Sequence, residues 1–284
     1  LARELVENGQ VPTPECFNVE GMFSEHDLAL EGEPCENLLC LRGAMGLAPD
    51  LDGTPAAWFQ VGLSSSVDPE TFQRPPLTLV ACVDVSGSMG WSYVGDEGAD
   101  PSPAAIAHRL LGAFAQDLGP DDRLAIVTYG SDVDVALGMT SGAEQDRIRE
   151  AIDALGANGS TNMEAGLARA FELAAENAPV SGDVRVMLFT DVQPNVGATS
   201  DSQFEQMVAR AADEGVGLTV FGLGLGLGQQ VLDAMVHLRG GNAFSLFEYE
   251  DVDELVKDDW PWLACPIAYA MRVLMTLPEG FRLE

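Results

Sequence analysis

Three oxygen side chains at alternate positions, Asp84, Ser86 and Ser88, close an apolar run, LTLVACV at 77–83, and a glycine separates the two serines. A second acid, Asp191 in LFTDVQPN, follows another apolar run, and Thr161 sits in GSTN (159–162) ahead of a helical pattern. Two carboxylates and three hydroxyls, without histidine or cysteine, form a hard oxygen set that suits Mg²⁺, Ca²⁺ or Mn²⁺ and disfavours zinc. Two acids balance the charge of a divalent ion. Neutral hydroxyls fill further positions and allow one to stay open for an outside ligand.

Such a set works only if the chain brings it together. From Leu77 onward strands and helices alternate: apolar strands at 77–83, 123–129, 184–190 and 217–223, a strand of alternating polarity at 133–137, and a last one at 243–247. Between them, Ala107, Leu110, Leu111, Phe114 and Leu118 share one helical face. So do Ile148, Ala151, Ile152 and Leu155, then Leu167, Phe171, Ala174 and Ala175, then Phe204, Met207, Val208 and Ala211; two more helices are expected at 231–238 and from Asp251. Apolar strands alternating with helices predict a doubly wound α/β domain with a mostly parallel six-stranded sheet over 76–258. In such sheets ligands bind beyond the carboxyl ends of the strands where strand order reverses. With the order 3-2-1-4-5-6 that point lies between the strands ending at Val83 and Thr190, where Asp84 and Asp191 leave the sheet.

The flanks read differently. Residues 1–75 are rich in Gly, Pro and acids, with a short helix possible at ARELVENG and one strand at AAWFQVGLS. The tail, 259–284, contains a strand-like stretch, IAYAMRVLMTLP (267–278), without a sequential partner. The economical expectation pairs it with the N-terminal segment in a small β-rich accessory domain. FGLGLGLG lacks the GK[ST] ending of a phosphate loop and reads as a strand end feeding a glycine turn.

Forty-five acidic residues against 14 basic ones leave a formal charge of −31. Nucleic acid is therefore an unsuitable partner, because neutralising phosphates takes clustered Lys or Arg. An acidic surface keeps a protein soluble and attracts cations. No stretch has the roughly 18–20 uninterrupted apolar residues of a transmembrane segment. The first residue is Leu1, so an export signal or lipid anchor is expected to lie outside this stretch of chain.

Among five cysteines, Cys82 lies mid-strand, as a buried thiol would. Cys16, Cys35, Cys40 and Cys265 lie in the flanks and allow three pairings. A local Cys35–Cys40 bridge, with Cys16 and Cys265 tying the flanks together, is one expectation, and it points to an extracytoplasmic, oxidising compartment. His26, His108 and His237 have no evident acid at the site and read as surface or boundary residues. The long acidic segment 91–103, with Asp96, Glu97 and Asp100, reads as a solvated loop, with a second cation site or a lid as alternatives.

The constellation resembles the von Willebrand factor A domain with its metal-ion-dependent adhesion site, whose signature is Asp-x-Ser-x-Ser followed by a distant Thr and a distant Asp. The resemblance assigns Asp84, Ser86 and Ser88 to the first part, Thr161 to the second and Asp191 to the third, some of them acting through water. Val192 stands where that family usually has glycine. RPPLTLVACVDVSGSM, GSTNMEAGLARAFELA and DVQPNVGATS further resemble the YfbK-like group of bacterial exported or lipid-anchored proteins. The resemblance implies a non-enzymatic module whose Mg²⁺, Ca²⁺ or Mn²⁺ holds an Asp or Glu carboxylate of a partner protein. A Mg²⁺-dependent hydrolase or phosphoryl-transfer enzyme, or a structural protein stabilised by its metal, are the alternatives. Against the enzyme, Asp84 lacks the DxD pairing of an aspartyl phosphatase, and DVSGSMG is not a GxSxG elbow.

Overall fold

The structure, a computed structural model, describes residues 9, 11, 30, 32–49, 52–68, 71–91, 101–157, 159–191, 202–224, 238–268, 272 and 274–276. The chain divides into two compact units, Leu1–Gln73 and Arg74–Glu284.

In the first unit, strand β1 (Cys40–Pro49) pairs antiparallel with β2 (Pro55–Ser64). The register sets Leu41 opposite Leu63 and Met45 opposite Phe59, so one face of the ribbon is apolar. β2 is the strand expected from AAWFQVGLS. β1 was not expected: Gly43 and Gly46 weaken its strand signal, and cross-strand pairing with β2 supplies what propensity does not. A disulfide joins Cys35 to Cys40 at the start of β1.

The second unit holds a six-stranded sheet in the order β5-β4-β3-β6-β7-β8. Its strands are β3 (Leu77–Asp84), β4 (Arg123–Tyr129), β5 (Val133–Ser141), β6 (Asp183–Thr190), β7 (Val216–Leu223) and β8 (Gly241–Leu246). Relative to the sequence of this unit the order is 3-2-1-4-5-6, the order under which Asp84 and Asp191 leave the sheet at one point. All neighbours are parallel except β4 and β5, which are antiparallel. That fits the alternating polarity of β5, an edge strand with one face in water.

Helices cover both faces of this sheet. On one side lie α1 (Pro103–Gln116), α2 (Gln145–Asp153) and the C-terminal series α5 (Tyr249–Glu254), a π turn (Leu255–Asp259) and α6 (Trp260–Ala264). They bury Ile106, Leu110, Phe114, Ile148, Val252 and Trp260 against Leu79, Ala81 and Val83 of β3. The Phe114 and Trp260 rings stack with centroids 4.2 Å apart. On the other side α3 (Met163–Glu176) and α4 (Ser202–Asp213) bury Leu167, Phe171, Ala174, Val208 and Ala211 against Val80 and Cys82. Alternate residues of β3 thus feed opposite cores, and every residue of the strand is buried.

Local signals place the helix starts. Ser102 caps α1 by accepting the Ala105 N–H at 3.3 Å, with Pro103 at the first helical position. Asn162 caps α3 by accepting from Ala165 N at 3.4 Å. Within α3, Gly166 has a packing reason: a Cβ there would lie 2.6–2.7 Å from Tyr129. Gly166→Ala gains about 1 kcal/mol of helix propensity but forces α3 off β4, an overpacking cost of about 1–3 kcal/mol. A lower midpoint in urea denaturation is expected. A raised midpoint would show that the contact relaxes freely.

The domain continues past residue 258, since Trp260, Leu263, Ala264 and Cys265 are buried in its core. Cys265 corrects the expected thiol pattern. It is a free thiol, not bridged to Cys16, and lies in the core rather than in a polar flank. Burial, and then the charge of Asp183, push its pKa up to about 12, so it stays protonated and inert. Cys82 is the buried free thiol expected.

Several expectations fall outside the described residues: the helix at ARELVENG, Cys16, His26, acidic positions 92–100, Val192, and the helix at 231–237 with His237. The stretch 267–278 also lies partly outside them. Its described residues 267, 268, 272 and 274–276 are in no strand.

Candidate metal centre

β3 delivers Asp84 at its last position, next to Tyr129 of β4 on one side and the end of β6 on the other. In an extended strand Ser86 and Ser88 would be about 6.6 Å apart. Instead Gly87–Gly90 forms a 3-10 turn that brings the two Oγ atoms within 3.2 Å. The turn is closed by Met89 N–H donating to Ser86 O at 3.2 Å and Trp91 N–H donating to Ser88 O at 2.9 Å. Met89, fully buried, anchors it in the core. The Ser86 N–H donates to Asp84 Oδ1 at 2.8 Å, turning the chain back over the carboxylate.

The loop carrying Thr161 is held against this turn. Gly87 N–H donates to Gly159 O at 3.0 Å, and Ser160 N–H donates to Ser131 Oγ, beyond the end of β4, at 3.1 Å. Thr161 itself is exposed. Gly159 has φ +97°, and a Cβ there would meet Ser131 Oγ at 2.6 Å. Gly159→Ala is therefore strained both ways, by about 1–3 kcal/mol. Because the strain falls on the loop that presents Thr161, weaker cation binding in calorimetry is expected along with lower stability. Unchanged affinity would separate this loop from the site.

Asp191 follows β6 directly and is buried, as is Asp84. Burial pushes the Asp84 carboxyl above its ordinary range and the charge of Asp191 adds to this, against the lowering effect of hydrogen bonds from Ser86 and Thr190. A divalent cation would offset the cost that burial and the neighbouring charge place on the ionised Asp84 carboxylate. Among the described residues no group of three His, Cys, Asp or Glu forms a metal cluster. A cation here would rely on two acids and hydroxyls.

Side chains the sequence reading passed over complete the floor of the site. Thr190 Oγ1 donates to Asp84 Oδ2 at 3.2 Å. The fully buried Tyr129 directs its hydroxyl towards Phe189 O at 3.5 Å. Burial and the charge of Asp84 hold its phenol far above the usual range, hence neutral. Their only sequence signal was position, since each ends a strand at the edge of the crevice. His108 is a surface residue 3.0 Å from Asp153.

Residues 79–194 match the von Willebrand factor type A domain. This part of the chain is a von Willebrand factor type A domain. The match takes in the turn at 86–90, Thr161 and Asp191, so the whole candidate site lies within the A domain. The chain is also 30% identical over 227 residues to the Escherichia coli (strain K12) protein YfbK, covering 78% of this chain and 38% of that protein. The pig inter-alpha-trypsin inhibitor heavy chain H4 is 25% identical over 205 residues, 70% of this chain and 21% of that one. The chain thus spans about two fifths of the first relative and one fifth of the second. A solved von Willebrand factor type A structure from Catenulispora acidiphila, 15% identical, has a TM-score of 0.51, over 85% of this chain and 52% of that one. It shares the fold of the A domain.

Proposed function

We propose that this chain is a non-enzymatic, divalent-cation-dependent protein-binding module, used in adhesion or complex assembly. In it Asp84, Ser86, Ser88, Thr161 and Asp191 hold one Mg²⁺, Mn²⁺ or Ca²⁺, and an Asp or Glu carboxylate of a partner takes the remaining position. The observation that carries this reading is the convergence at the strand-order reversal: two buried acids from adjacent strands beside two hydroxyls folded to 3.2 Å. When bound, the cation would supply a positive centre for an outside carboxylate. The protein's own residues neutralise, orient and shield. Asp84 and Asp191 supply the negative charge, the 3-10 turn aims the serines, and the loop at 159–162 presents Thr161 at the open side.

The module is proposed to work outside the cytoplasm, where the Cys35–Cys40 bridge is stable, on a longer protein that carries any export signal or lipid anchor. Among the described residues no helix is long and apolar enough to cross a membrane. The reading predicts that the metal-stripped protein takes up one equivalent of Mg²⁺, Mn²⁺ or Ca²⁺ in calorimetry. It also predicts that the loaded protein captures a partner from native secreted or membrane fractions in a way that EDTA abolishes. No uptake of any of the three ions refutes the site. Uptake with EDTA-insensitive capture leaves the ion and refutes the adhesion role.

A further inference from the structure

The Asp84 carboxylate is engaged at both oxygens from within the protein. Oδ1 accepts the Ser86 N–H at 2.8 Å and Oδ2 accepts the Thr190 hydroxyl at 3.2 Å. Thr190 is fully buried and is the last residue of β6. The strand end that delivers Asp191 therefore also grips Asp84 on the neighbouring strand. Ser86 also acts on the carboxylate through its side chain and Tyr129 through its hydroxyl, but the terminal torsion of an aspartate is soft, and the Thr190 bond is the one that ties its plane to β6.

We infer that Thr190 is a positioning residue of the metal centre, its hydroxyl fixing the Asp84 carboxylate plane before an ion arrives and coupling it to the strand that carries Asp191. The inference rests on the metal reading above. Outer hydrogen-bond partners of ligating carboxylates commonly contribute 10–100-fold in metal affinity. Val is nearly isosteric with Thr and favours strands, so Thr190→Val removes the donor with little change of shape, whereas Thr190→Ser keeps it.

The test is calorimetric titration of the metal-stripped native protein, Thr190→Val and Thr190→Ser with Mn²⁺ and with Mg²⁺, alongside thermal melts in EDTA. Thr190→Val is expected to weaken both ions by about tenfold or more, and Thr190→Ser by less than about threefold, with melting temperatures in EDTA close to native. If Thr190→Val fails to fold, Thr190→Ala, which also lacks the hydroxyl, carries the same expectation. Native-like affinity in the hydroxyl-free variant overturns the inference, as does an equal loss in Thr190→Ser, which would assign the effect to methyl packing. Failure of the native protein to bind either ion refutes the metal reading instead, so the two failures are distinct.

Discussion

Asp84→Ala should remove divalent-cation binding and leave the fold standing. The loss follows from charge. With one of two acids gone the site keeps a single carboxylate against a 2+ ion, and an affinity loss of at least about 100-fold is expected, about 2.8 kcal/mol. Retention of the fold follows from burial. Asp84 is 2% exposed and its carboxyl is pushed upward by desolvation, so the ionised group is a burden in the metal-free protein. Removing it takes the acceptor from the Ser86 N–H, an opposing cost of about 1–3 kcal/mol. Ser88→Ala, which deletes a neutral donor, should weaken binding by a smaller factor. Calorimetry with Mn²⁺, circular dichroism and EDTA-controlled partner capture check all three statements. Native-like capture by Asp84→Ala would detach partner binding from the ion.

Asp122→Ala should be among the most destabilising substitutions in the A domain, at about 3–5 kcal/mol. Asp122, just before β4, accepts from Arg74 Nη1 at 2.7 Å and Nη2 at 2.6 Å, from Leu77 N at 2.8 Å and from Gly119 N at 2.7 Å. It pins the entry to β3 and the loop after α1 at the end of the sheet opposite the metal centre. The side chains of Arg74 and Asp122 are only 16% and 6% exposed, so deleting the acid leaves a cation and two N–H donors poorly solvated. The same contacts fix a pH dependence. Burial pushes the Asp122 carboxyl up, but the Arg74 bond and the two backbone N–H donors outweigh it and hold the group below the ordinary carboxylate range. A depressed folded pKa means that this stabilisation is complete above the unfolded value and is lost as pH falls through the folded one. Urea midpoints should therefore drop on acidification below about pH 4 in the native protein and less so in Asp122→Ala. Equal slopes would rule out this carboxylate as the acid-sensitive anchor.

Much of this was legible in the chain itself. Unbroken apolar runs such as LTLVACV announce strands buried on both faces, and helical spacing such as Leu110, Leu111 and Phe114 announces their cover. These patterns are local consequences of burial. The strand alternation announced the sheet, and under the order 3-2-1-4-5-6, which the structure has, Asp84 and Asp191 leave it at one crevice. The sequence also carried the local Cys35–Cys40 bridge, because five residues of separation is a local geometry. What only the tertiary structure decided were the relations set by distant chain. Alternation alone would leave Ser86 and Ser88 apart, and the buried Met89 with the Gly87–Gly159 hydrogen bond folds them together. Cys265 looked like a flank cysteine until Trp260 and Leu263 carried it into the core. Arg185, within β6, is 1% exposed and donates to Ala264 O, Thr219 Oγ1 and Gly240 O, partners that only the packing brings to it. Thr190 and Tyr129 gave no chemical signal, because a hydroxyl becomes part of a site only when a neighbouring strand puts a carboxylate against it. Side-chain periodicity is written within single elements, whereas hydrogen bonds between residues 60 to 106 positions apart depend on how those elements pack.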